Sequence, residues 1–140
     1  MDILTPQRRS ALMSRIRSKD TKPELTVRRI AHAMGYRFRL HRRDLPGAPD
    51  LVFPRLKKAV FVHGCFWHRH PRCRYAYHPK SNLAFWRKKF STNVTRDHTV
   101  LKMLRKLGWD VLVIWECQTD DVSVLTRRLL AYLKKAKRAT

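Results

Sequence analysis

Hydrophobic residues along this chain recur at either helical or alternating spacing, and the switches between the two mark out its elements. Leu25, Val27, Ile30, Ala31 and Met34 run along one predicted helix. It opens at Thr21-Lys22-Pro23-Glu24, where Thr21 and Glu24 have capping-box spacing, and Gly35 ends it. Upstream, Thr5-Pro6 has the form of an N-cap followed by proline at the first helical position, predicting a helix over 7–18. Its apolar stripe (Leu12, Met13, Ile16) is thin, and Arg8, Arg9, Arg15 and Arg17 make it a basic arm. Residues 36–40 alternate aromatic or aliphatic side chains with arginine, as a half-buried strand does. Residues 50–53 follow a Pro-Gly-Ala-Pro turn and read as a second strand, and the continuously apolar run 59–62 as a buried third. A long helical stretch covers 82–107, with a candidate break at Ser91-Thr92-Asn93 and with Val94, Leu101, Leu104 and Leu107 on one face. Gly108 stops it, 111–115 is another buried strand, and an amphipathic helix over 122–135 leads into a basic tail. The order α-α-β-β-β-α-β-α predicts an α/β fold with a mixed central sheet flanked by helices. There is no internal repeat and no linker, so residues 1–20 are expected to form a basic arm and 21–140 a single domain.

Charge narrows the partners. The 140 residues carry 32 Lys and Arg against 10 Asp and Glu, a formal net charge of +22. A surface so self-repelling calls for a polyanion, and nucleic acid is the usual one. No apolar stretch approaches the roughly 20 residues of a membrane-spanning helix. The opening Met-Asp-Ile-Leu-Thr-Pro lacks the basic start and apolar run of a signal peptide. A cytoplasmic protein is therefore expected, with its three cysteines reduced and free to bind metal.

The candidate chemistry is concentrated in His-Gly-Cys-Phe-Trp-His-Arg-His-Pro-Arg-Cys, residues 63–73. Cys65, His70 and Cys73 could form a three-ligand loop, and Cys117, just after the last strand, could close a tetrahedral Cys₃His zinc site. With four protein ligands such a zinc is structural. The alternative is three unrelated cysteines, since the spacing matches no common zinc finger. Acids are scarce, which draws attention to Glu24, Asp50, Asp97 and Glu116. Asp50 opens a strand and His63 ends the next, an arrangement by which nucleases hold a divalent metal that activates water. An aspartate after proline also simply terminates turns; the basic charge and nearby histidines favour the metal reading.

The ordered set Leu-Pro-Gly-Ala-Pro-Asp (45–50), Val-Phe-Val-His-Gly-Cys-Phe-Trp-His (60–68), Phe-Trp (85–86), Asn-Val-Thr-Arg-Asp (93–97) and Val-Ile-Trp-Glu-Cys (113–117) resembles the very-short-patch repair (Vsr) endonucleases. Those enzymes nick DNA beside a thymine mispaired with guanine. The resemblance runs from about residue 10 to 117. It implies a restriction-endonuclease-like three-layer fold with a zinc-stabilised loop, so that 21–140 would be the endonuclease domain. It further implies that Asp50 binds Mg²⁺, together with the backbone of Val62, which stands where the family commonly has threonine. His68 would be the catalytic histidine, His63 and Asp97 would complete the site, and Glu24 would assist from its helix. Cys65, His70, Cys73 and Cys117 match the zinc ligands, with a His70–Cys73 spacing one residue longer than the family's. Phe66, Trp67 and Trp86 match residues that wedge into the base stack, and Met13 one that inserts from the opposite groove; spacing alone would place Trp86 in the core.

A restriction-type site pairs its aspartate with an acid and a lysine on the next strand. Here that strand reads Phe61-Val62-His63, so imidazole must take over, and neutral imidazole accepts a proton near neutral pH. The expected function is a monomeric, Mg²⁺-dependent endonuclease that nicks one strand of double-stranded DNA at a T:G mispair. Such mispairs arise when 5-methylcytosine deaminates, which links the enzyme to a cytosine-5 DNA methyltransferase. The alternatives are a nuclease of the same fold that cuts matched DNA and a non-catalytic zinc DNA-binding module. His32 and His41 are expected to be surface or partly packed, with no partner suggested by spacing, and Trp109 and Trp115 to be core.

Overall fold

The computed structural model describes residues 20–135. The predicted 7–18 helix, with Met13 and the basic arm, lies outside the described residues. Helix α1 (Lys22–Ala33) starts at Thr21, whose side chain accepts from the Glu24 amide. The reciprocal half of the box is displaced by one residue. Glu24 Oε2 accepts instead from the Asp20 amide, at 2.9 Å. Strands β1 (Arg39–Leu40), β2 (Leu51–Phe53) and β3 (Lys58–His63) follow, then helix α2 (Leu83–Lys106), β4 (Asp110–Trp115) and α3 (Val122–Lys134).

The sheet has the order β1-β2-β3-β4, with the first two pairings antiparallel and β3–β4 parallel. A parallel pair needs a crossover, and the segment between β3 and β4 supplies it: first the His/Cys loop, then α2. Alternation along the strands fills both faces. Leu51, Phe53, Val60 and Ile114 pack with Val27, Ile30 and Ala31 of α1 and Leu125, Leu129 and Leu133 of α3. Val52, Ala59 and Phe61 pack on the other side with Leu45, Leu104 and Trp109. The result is three layers, α1 and α3 on one face and α2 on the other, which is why β2 and β3 read as unbroken apolar runs.

Some expectations change in detail. Only Arg39–Leu40 of the run 36–40 pairs, and both residues are exposed, because β1 is a short edge strand; Tyr36 and Phe38 instead pack edge-on and tilted against Phe53. Helix α2 is unbroken through Ser91-Thr92-Asn93, since Asn93 makes its tertiary contacts from inside the helix. Leu107 is exposed just past the end of α2, so the helix's buried stripe narrows to Leu104 with Val100 and Leu101 beside it. The turn before β2 requires its glycine: Gly47 has φ +72°, and a Cβ there would come within 2.5 Å of Val100. This turn brings Asp50 to the head of β2.

Buried Lys58 joins the layers at the other end of β3. Its ammonium donates to the carbonyls of Tyr132, Leu133 and Lys135 at the C-terminus of α3, where the helix leaves backbone acceptors short of partners; among the described residues only Tyr132 O also accepts from a backbone amide, that of Lys135.

Candidate active site and metal centre

Antiparallel register sets Asp50, just outside β2, beside the end of β3. The Val62 amide donates to Asp50 Oδ2 at 2.7 Å. Burial pushes the Asp50 carboxyl up to about 7, opposed by the Val62 hydrogen bond; the Glu24 charge adds to the rise and the Arg28 guanidinium counters it. Glu24 is buried on α1 and accepts from Arg28 Nη2 at 3.2 Å. Around this pair the structure adds a residue to which spacing had given no partner. His41 Nε2 lies 3.0 Å from Arg28 Nη2, and its Nδ1 lies 3.7 Å from Asp50 Oδ1.

The last residue of β3 is His63, buried and stacked on His68 with ring centroids 3.9 Å apart and planes within 5°. Burial, and then the neighbouring His68, drive the His63 pKa down to about 3, against a smaller opposing effect of Asp97. Burial thus favours the neutral ring of His63, a flat support for His68. His68 reaches this position because the loop turns back at once: its amide donates to Gly64 O at 3.1 Å. Asp97 of α2 meets His68 Nδ1 at 2.6 Å. One turn earlier on the same helix, buried Asn93 donates to Trp67 O at 3.0 Å and ties the loop to α2. Asn93 belongs to the candidate helix break of the sequence, and its spacing of four residues from Asp97 is the signal that both face the loop. The ligand atoms of His63, His68 and Asp97 lie within 4.8 Å of one another. Asp50 lines the same cleft as these residues without belonging to that triad.

The four residues matched to zinc ligands converge. One ligand atom from each of Cys65, His70, Cys73 and Cys117 falls within a 4.8 Å span. His70 Nδ1 lies 3.7 Å from Cys65 Sγ and 3.4 Å from Cys117 Sγ. Ideal tetrahedral zinc, with Zn–S about 2.3 Å and Zn–N about 2.0–2.1 Å, sets N···S edges of about 3.6 Å. The donor set and its edges therefore fit zinc. Burial pushes the Cys65 thiol up to about 12, a penalty that a cation at the centre would offset. Arg69 and Arg72, on either side of His70, both have left-handed φ (55° and 58°). Trp115, expected in the core, is only half-buried. It stacks on His70 (4.3 Å, 15°) and meets His63 edge-on (5.2 Å), so one indole braces both centres.

An aromatic cluster crowns the loop. Phe66 makes edge contacts with Trp67, Trp86 and Phe90 at 5.1–5.4 Å and a tilted one with Tyr77 at 4.8 Å. Trp86 is half-buried here and belongs to neither core; its ring partners are Phe66 and Trp67 of the loop and Phe85 and Phe90 of α2. The Arg69 guanidinium lies 4.0 Å from the Phe90 centroid and donates to Phe66, Tyr77 and Ala76 carbonyls, clamping the cluster. Tyr77 and Phe85 at its rim are more than half exposed. Apolar surface of this kind, on so cationic a protein, suits bases rather than solvent.

These pieces share one cleft of about 1030 Å³. Glu24, Asp50, His63, His68 and Asp97 line it with Phe66 and Trp67, and Arg74 and Arg96 add positive charge. Buried acid, paired imidazole, cationic walls and a stacking surface together are the equipment of a phosphodiesterase acting on DNA. Sequence comparison agrees. The family profile described as DNA mismatch endonuclease Vsr matches residues 1–74. The chain belongs to the Vsr family. It is 50% identical over 128 residues to the type II nicking enzyme V.XorIIP of Xanthomonas oryzae pv. oryzae, covering 91% of this chain and 93% of that one. It is 39% identical to the type II nicking enzyme V.NmeAIP of Neisseria meningitidis, over 99% of this chain and 98% of that one. Against the DNA mismatch endonuclease Vsr of Escherichia coli K12 it is 37% identical over 92% of this chain and 82% of that one. Vsr-family membership makes this protein a DNA endonuclease. No helix among the described residues is long and apolar enough to cross a membrane.

Proposed function

We propose that this endonuclease nicks one strand of double-stranded DNA beside the thymine of a T:G mispair, with Mg²⁺ as catalytic and Zn²⁺ as structural metal. The observation that carries the reading is the shared cleft, in which Asp50 and the His68–Asp97 pair lie next to the Phe66–Trp67 surface. The residues that would hold Mg²⁺ are Asp50 and the backbone of Val62, a hard oxygen set suited to that ion. Bound there, Mg²⁺ supplies charge neutralisation at the phosphate and a more acidic water. The Val62 amide fixes one Asp50 oxygen. His68 donates Nδ1–H to Asp97, which leaves Nε2 to accept a proton from the attacking water. His63 holds the His68 ring by stacking and, being neutral, adds no charge of its own. Cys65, His70, Cys73 and Cys117 would hold Zn²⁺ with no position open for water, locking the loop that carries His68 and the aromatics.

Mismatch sensing follows from unstacking energetics. Wedging Phe66, Trp67 and Trp86 into DNA costs a few kcal/mol per step, less where a wobble pair already stacks poorly. Base-edge contacts then read the flanking sequence. Such mispairs arise by deamination of 5-methylcytosine, which makes a cytosine-5 DNA methyltransferase the functional partner. Nicking a single strand needs only one protomer. The deciding experiment is a nicking assay across all mispairs and matched duplexes, in Mg²⁺ and in EDTA. Mg²⁺-dependent cleavage of one strand at T:G alone is the expected result. Equal cleavage of matched DNA refutes the mismatch reading, and binding without cleavage refutes the catalytic one.

A further inference from the structure

Behind Asp50 lies a polar cluster that reaches the cleft through Asp20 and Glu24 and whose Arg28 and His41 have no part in the proposed chemistry. Arg28 Nη2 is held by Asp20 Oδ1 at 2.6 Å and Glu24 Oε2 at 3.2 Å, and it stands 3.0 Å from His41 Nε2. Guanidinium has donors and no acceptor, and at 3.0 Å it is nearer to His41 Nε2 than the Glu24 Oε2 at 3.5 Å, which favours Nε2 as an acceptor. That assigns the proton of His41 to Nδ1, and Nδ1 is the atom that faces Asp50 Oδ1, 3.7 Å away. The second carboxylate oxygen, Oδ2, is already fixed by the Val62 amide. His41 also lies in the left-handed region, φ 48°, while its amide donates to Asp50 O at 3.3 Å. A non-glycine residue there stores strain that neighbouring structure must offset. Neither Arg28 nor His41 lines the cleft, whereas Asp20, Glu24 and Asp50 do. His41 can therefore act on the reaction only through the acids it meets: Asp50 at Nδ1, and Glu24 Oε2 and Asp20 Oδ1, which lie 3.5 and 3.8 Å from Nε2.

We infer that His41 is a positioning residue: Arg28 fixes its tautomer, and its Nδ1–H side orients the Asp50 carboxylate from behind so that the cleft-facing oxygens are set for a divalent cation. This rests on the reading of Asp50 as the Mg²⁺ carboxylate. Groups that orient a metal-binding carboxylate change metal affinity or activity by about 10–100-fold when removed. Leucine at this position keeps bulk and removes both polar atoms. Glutamine keeps an acceptor for Arg28 and a donor for Asp50.

The test uses the full chain and three readouts. Nitrogen-15 spectra of the imidazole, without metal or DNA, should show Nδ1 protonated and Nε2 bare. A Mg²⁺ titration followed at the Val62 amide resonance, whose N–H sits on Asp50, should shift to about tenfold higher concentration or more in His41→Leu. The same shift should appear in the Mg²⁺ requirement for nicking a T:G duplex, while duplex binding in EDTA is unchanged and His41→Gln recovers most of the loss. An Nε2–H tautomer overturns the inference. So does a wild-type Mg²⁺ response at Val62 in His41→Leu, or a glutamine variant as impaired as leucine. If the wild-type chain fails to nick T:G duplexes while the tautomer and Val62 responses come out as expected, the positioning role stands and the functional reading falls.

Discussion

Replacing Asp97 by asparagine isolates what one charge contributes to the reaction. The Asp97 carboxylate touches His68 Nδ1 at 2.6 Å, and the two side chains are 16% and 26% exposed. When Nε2 takes a proton from water, the ring becomes a cation beside that carboxylate. Charge centres about 4 Å apart at an effective dielectric of about 20 interact by about 4 kcal/mol. Asparagine keeps the size and a hydrogen bond but loses nearly all of this, so the barrier should rise by about 4 kcal/mol, or roughly 10³-fold in rate. The expectation lies within the usual 10²–10⁴-fold span of general-base catalysis. The assay is single-turnover nicking of a T:G duplex at saturating enzyme and Mg²⁺, with duplex affinity and melting temperature measured in parallel. Affinity should hold, because Asp97 bears on the proton transfer and not on the wedge. A rate within about tenfold of wild type would show that His68 needs no charged partner and would remove it as the base.

The remaining expectations concern stability and metals. Without added Mg²⁺, Asp50→Asn should melt higher than wild type at pH 8. The folded Asp50 carboxyl titrates at about 7, above its ordinary value, so its ionisation destabilises the fold. That deficit grows as pH rises through about 7 and disappears below about 4, giving at least about 1 kcal/mol at pH 8. Equal melting of the two proteins across pH 4–8 counts against the buried-acid assignment. Adding Mg²⁺ should stabilise wild type and leave the asparagine variant unaffected. Cys73→Ala should lose one bound zinc by elemental analysis and at least about 2 kcal/mol in denaturant melts; unchanged zinc content rules out the four-ligand centre. Lys58→Met strands the Leu133 and Lys135 carbonyls at the end of α3 and should cost about 1–3 kcal/mol by urea unfolding without altering nicking by the folded fraction. A neutral effect would mean those carbonyls find other donors.

Much of the architecture could be read directly, because local spacing encodes it. The helix at Lys22–Ala33, the continuous apolar β3 and the existence of β4 each follow from periodicity and from turn or cap residues, although β4, expected to be buried, is a sheet edge with only Ile114 buried. The clustered histidines and cysteines announced a site because no core needs them there. The sequence could not assign β1 its length, since an exposed edge strand leaves no burial pattern. Nor could it decide between core and surface for Trp86 and Trp115. Both are large apolar residues at plausible core spacing, and only the loop's path over α2 and β4 makes them neighbours of Phe66 and His70.

Chain order thus determined which residue types were available and on which elements: an acid at a strand head, imidazoles at a strand end, thiols in a loop. Tertiary structure decided which of them meet. Register places the Val62 amide on Asp50, and α2 lays Asp97 against His68 across a separation of 29 residues. The β1 edge, paired through the His41 amide, brings that imidazole between Arg28 and Asp50. Those meetings depend on strand pairing and layer packing, which are long-range contacts with no local spacing to record them. For that reason the sequence disclosed the reagents of the site, and only the folded chain disclosed their partners.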